Sequence, residues 1–139
     1  MTFADGWRAE GSFIFIGEQA PRKARAFAEM TLARARRKLD LIGAPDFDEV
    51  ASEGVGDGSA FGAASAAPDS KDVALKLAVK HANPRAAGLI LKESSGLALA
   101  APPGLTVFGG NRPRPSPVVR LLSFLLPKVE VAPVVRFDD

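Results

Sequence analysis

The chain has 139 residues, 47% of them hydrophobic and 24% charged, a balance that suits one globular domain. It contains no cysteine and a single histidine, which excludes disulfides, thiolate metal sites and a cysteine nucleophile. The net charge of +2 is too small to argue for nucleic acid as a partner.

Ser12 to Ile16 is aromatic and β-branched between Gly11 and Gly17, and reads as a strand apolar on both faces, hence interior, whose second face needs a cover. Pro21 to Ile42 reads as a long helix. Its apolar positions Ala24, Phe27, Ala28, Thr31, Ala35, Leu39 and Ile42 form one stripe, and Gly43 and Pro45 end it. Seven bases, Arg22, Lys23, Arg25, Arg34, Arg36, Arg37 and Lys38, ride on this helix. Seven bases along one helix read as a solvated face.

Phe47 to Val55 mixes acids with apolar groups, which suggests a strand at a sheet edge. Gly54 to Ser70 is small and polar, the composition of a long hairpin connection. Its Gly54-Val55-Gly56-Asp57-Gly58-Ser59 has Ser where a dinucleotide fingerprint needs glycine, and no amphipathic helix follows. Val73, Leu75, Leu77 and Val79 alternate with Lys76 and Lys80 on the other face, a clear strand period. Pro84 to Ser94 reads as a short helix with Asn83 as N-cap, Pro84 at the first position and Gly96 as a stop.

Between Ala101 and Pro117 the density of proline and glycine is expected to leave no regular element. Leu121 to Leu126 is expected to be a short buried piece. Val129 to Phe137 reads as a last strand, placed at an edge by Pro133. The order is βαββαβ, an α+β domain of the ferredoxin-like split βαβ type, with a long Gly/Pro-rich loop before its last strand. No stretch approaches the roughly 20 apolar residues of a membrane span, and the N-terminus lacks the pattern of a signal peptide. The cytoplasm is the default.

Chemistry-bearing residues are few. His81 follows the third strand and reads more readily as a strand-end or capping residue than as a general base. Asp46, Asp48, Glu49 and Glu53 read as exposed edge acids rather than a cation site. Phosphate loops, the G-x-S-x-G elbow and H-E-x-x-H are absent, and no cofactor or metal is expected. The most unusual segment runs from Gly109 to Arg120. Gly109 and Gly110 let backbone approach a ligand, prolines stiffen the loop, and Arg112, Arg114 and Arg120 supply planar donors suited to phosphate or carboxylate. An anion-binding loop including Asn111 and Ser116 is one reading. A rigid crossover with solvated arginines is the other.

Asp5-Gly6-Trp7-Arg8-Ala9-Glu10-Gly11-Ser12-Phe13, Lys23-Ala24-Arg25-Ala26, the run from Gly109 to Arg120 and Phe124-Leu125-Leu126-Pro127 resemble the acyclic terpene utilisation (AtuA) family. The resemblance spans nearly the whole chain and matches the later half of that family's main domain. It implies a bacterial cytoplasmic protein associated with acyclic terpenoid breakdown through coenzyme A thioesters, with no established reaction. It also implies that the 1–139 domain is a fragment of a longer architecture, without the family's N-terminal α/β part and without a complete active site. The expected ligand is then an anionic one such as a coenzyme A thioester. The expected partners are the missing N-terminal domain, another subunit or a second copy, and neither nucleic acid nor membrane. A module that only binds or oligomerises is the alternative.

Overall fold

A computed structural model describes residues 1–58, 62, 70–107 and 113–136. It is an α+β structure, a five-stranded sheet with every pairing antiparallel and helices on one face. In chain order the elements are β1 (Thr2–Ile16), α1 (Ala20–Leu41), β2 (Glu49–Val55), β3 (Asp72–His81), α2 (Pro84–Ala87), α3 (Leu89–Ala98), β4 (Leu105–Val107) and β5 (Ser116–Leu121). The strands lie in the order β2-β3-β1-β4, with β5 also on β1. The interior reading of the first strand holds, since β1 pairs with β3 on one side and with β4 and β5 in succession on the other.

Alternation sorts the side chains of the sheet. Ala9, Phe13 and Phe15 of β1 and Val73, Leu75, Leu77 and Val79 of β3 point to the helices and are buried. The α1 stripe Ala24, Phe27, Ala28, Thr31, Ala35 and Leu39 meets them, joined by Ala86, Ala87 and Ile90. Phe27 anchors this core, with its ring centroid 4.8 Å from that of Phe13 and 5.5 Å from that of Phe15, both tilted. Such pairs add to the burial of their apolar area. Ile42 falls outside the stripe: it caps α1 and is exposed.

The second face of the sheet is largely charged, contrary to the apolar face expected of β1. Only Ile14 and Ile16 continue the apolar pattern there, because β1 runs on to Thr2 and places Arg8 and Glu10 on that side. A bulge makes the difference. Pairing with β5 shifts register between Ala4 and Trp7, and Gly6 takes φ +78°, a left-handed conformation suited to glycine. The shift brings Asp5 to the open face beside Lys80.

The C-terminal third departs most from expectation. Leu105–Val107 forms β4 despite the neighbouring prolines and glycines, because three residues suffice to pair with Phe13–Phe15. Among the described residues the last strand is β5, and residues 129–136 form none. On its edge a proline such as Pro117 is tolerated, since a missing donor has an unpaired side to face. Beyond it come a single 3-10 turn, Lys128–Glu130, and extended chain to residue 136. Leu121 to Leu126 is exposed rather than buried. The second helix divides at Gly88 into α2 and α3, and Gly96 lies inside α3, which runs on to Ala98.

Candidate functional site

The end of β3 fixes the start of the site. The backbone N–H of Asn83 donates to His81 Nδ1 at 2.8 Å, so the ring proton sits on Nε2, which faces the Pro45 carbonyl at 3.2 Å. His81 is buried, with Phe47 edge-on at 6.3 Å. Both ring nitrogens are occupied, and the imidazole is a strand-end anchor rather than a base. Asn83 Oδ1 in turn accepts from the Arg85 N–H at 2.8 Å and caps α2, with Pro84 in the first turn.

From that anchor Arg85, Gly88, Leu89 and Lys92 follow at i, i+3, i+4 and i+7, one stripe of a helical run. Pro113, Arg114 and Pro115 lie across it. A Cβ built on Gly88 would stand 3.4 Å from Pro115 Cγ, so a glycine there lets the proline approach closely. On one flank of Pro115 is an open cleft of about 550 Å³ lined by Pro84, Arg85, Leu89, Lys92 and Arg114. On the other is a volume of about 290 Å³ lined by Leu91, Lys92, Ser95 and Pro113. Three cations and no acid line the larger cleft. Among the described residues none of the three has an ion-pair partner.

The sequence-expected loop is thus divided. Arg114 joins Arg85 and Lys92, whereas Ser116 pairs with Arg8 inside β5. Arg120 leaves the site altogether. Its guanidinium pairs with Asp5 and, at 2.7 Å, with Glu49 on the open sheet face. Six residues of extended chain at about 3.4 Å each separate Arg114 from Arg120 by roughly 20 Å, too far for one small anion. Gly109, Gly110, Asn111 and Arg112 lie outside the described residues. Arg85 and Lys92 were missed by the sequence reading. Their signal was the i, i+7 spacing behind an N-cap.

The open face is electrostatically closed. Lys80 donates to Asp5 at 2.7 Å and to Glu49 at 3.0 Å. These bonds hold both carboxyls below their ordinary range and the Lys80 ammonium above its own. Asp46 likewise pairs with Arg36 at 3.1 Å, and its carboxyl is held low chiefly by the Phe47 N–H. These acids therefore answer bases of the protein itself. Among the described residues no helix is long and apolar enough to cross a membrane.

The model of a family described as acyclic terpene utilisation family protein AtuA matches residues 1–137. No curated protein and no solved structure matches the chain. With nearly its full length covered, the chain belongs to the acyclic terpene utilisation family.

Proposed function

We propose that this domain holds an anionic ligand, such as a coenzyme A thioester, in the cleft formed by Arg85, Lys92 and Arg114. The observation that carries the reading is the meeting of three cations, unpaired among the described residues, over apolar walls, Pro84, Leu89 and Pro115, with Gly109, Gly110 and Arg112 shortly before Arg114 in the sequence. Guanidinium groups suit phosphate oxygens, and uncompensated cations gain most from an incoming anion. Family membership supports a setting in terpene utilisation, and a bacterial cytoplasm is part of the proposal. The strand order β2-β3-β1-β4 supports a ferredoxin-like split βαβ unit as the scaffold. It would act as one domain of a larger architecture.

Calorimetric titration with coenzyme A tests the proposal. Binding is expected to weaken by roughly tenfold or more in Arg85→Ala combined with Arg114→Ala, the loss of about one charge-assisted hydrogen bond or more. Arg120→Ala is expected to leave affinity unchanged, because that arginine is committed to Asp5 and Glu49. Equal affinity in the double variant would refute the cleft.

A second reading, a module that binds another chain without chemistry of its own, is favoured by a different observation. Leu121, Leu122, Phe124, Leu125, Leu126, Val129, Val131, Val134 and Val135 are all exposed along the C-terminal segment. So many exposed apolar side chains in one arm support the reading of an interaction surface.

A further inference from the structure

We infer that β5 is a strap that undocks from β1 while the rest of the sheet stays folded, that Arg120 is its latch, and that its closure seats Arg114 beside Arg85 and Lys92. The inference rests on the cleft proposed above and names what assembles it.

The ladder divides β1 in two. From Trp7 to Ile16 it has β3 at its side, whereas Thr2, Phe3 and Ala4 pair with β5 alone. The Leu122 N–H extends that ribbon by donating to the Met1 carbonyl at 2.9 Å. Thr2, Phe3 and Ala4 are exposed, as are Val119 and Leu121 opposite them, and no residue of β5 belongs to the buried core. The bulge between Ala4 and Trp7 interrupts the ladder where ribbon meets sheet. Two strands without a buried face are marginally stable in water. This ribbon is therefore the part of the sheet that opens first.

Side chains supply one tie. Among the described residues Arg120 is the one β5 side chain with a hydrogen bond or ion pair, to Asp5 on β1 and to Glu49 on β2 at the far edge of the sheet. Lys80 of β3 holds the same two carboxylates. Charge rather than packing thus fastens β5 across the open face. The cleft lies at the other end of the strap. Ser116 opens β5 two positions after Arg114, and Pro115 between them sits over Gly88, where α2 meets α3. Arg85, Lys92 and Arg114 repel one another, so Arg114 departs once β5 no longer holds it. An anion in the cleft offsets the repulsion and favours closure. The open form stays a small minority without Arg120, so the equilibrium affinity of the cleft does not change with that arginine.

Amide hydrogen exchange of the full chain, free of ligand, tests the strap. Relative to their unstructured rates, the bonded amides of residues 2–4 and 118–121 are expected to exchange at least about tenfold faster than those of residues 73–79. Arg120→Ala is expected to speed the ribbon a further threefold or so, within the worth of an exposed ion pair, and to leave residues 73–79 unchanged. Gly88→Leu, or Gly88→Ser should the first not fold, displaces Pro115 and is expected to speed the ribbon as well, a coupling between cleft and latch. The chain has no cysteine, so Ala4→Cys with Val119→Cys, opposite each other in the ladder, can be oxidised to lock the strap. The lock is expected to cancel both effects. Ribbon and β3 amides exchanging alike, a ribbon indifferent to Arg120→Ala, or a folded Gly88 variant without effect on it would overturn the inference. No ligand enters these measurements, so failure of the cleft to bind coenzyme A is a separate outcome.

Discussion

Glu93 is the residue whose environment is least like that of its type. It is 2% exposed on α3 and takes Arg34 Nε at 2.9 Å together with the Lys38 ammonium, both from α1. Burial pushes its carboxyl up, but the hydrogen bonds from Lys38 and Arg34 outweigh that and hold it below the ordinary value. A carboxyl lowered on folding contributes stability above its unfolded pKa, about 4.3. The contribution is lost as pH falls through the folded value. Glu93→Gln is therefore expected to cost about 1–3 kcal/mol at pH 7, since two half-exposed cations lose a buried partner. Urea denaturation should show the gap between wild type and variant narrowing by pH 3, and an equal gap at both pH values would contradict it. In the sequence Glu93 is simply the one carboxylate between Lys92 and Lys128, and nothing in its spacing announces burial.

At the scale of elements, the strongly periodic pieces were legible. The α1 stripe and the alternation of Val73, Leu75, Leu77 and Val79 each follow from one rule of side-chain direction. The β1 bulge was not legible, because Asp5-Gly6 reads equally as the end of a loop. Its consequence is specific: the open-face pairing of Asp5 with Lys80 depends on the left-handed turn at Gly6. Gly6→Val strains that conformation, and its Cβ would stand 3.0 Å from the His81 carbonyl. A cost of about 1–3 kcal/mol is expected from the backbone alone. Carboxyl NMR titration should show the Asp5 midpoint rising toward the ordinary range as it parts from Lys80. An unchanged midpoint would place its control elsewhere.

Over the whole molecule, the helix-covered face and the C-terminal arm are opposites. The first buries its large apolar groups, whereas Leu125 is 100% and Val129 91% exposed. Apolar area gains about 25 cal/mol per Å² when removed from water, so the arm favours association. Light scattering is expected to show self-association of the full chain that rises with concentration. Phe124→Asp with Leu125→Asp should reduce it while leaving the melting temperature unchanged, since both side chains are solvent-exposed. A wild-type monomer at the highest attainable concentration would count against the arm as a contact surface.

The amino-acid order by itself determined the family, the α+β class, the long helix, the edge position of β2 and the cap at Asn83, all set by local pattern or side-chain type. Tertiary structure alone decided that Arg114 stands with Arg85 and Lys92 while Arg120 crosses to Asp5 and Glu49. It also decided that β5 rather than the valine-rich tail completes the sheet. The reason is physical. A strand period says which side chains share a face, but not which partner strand lies across from them, and ion pairs between residues 71 apart in sequence, as with Glu49 and Arg120, leave no trace in local spacing.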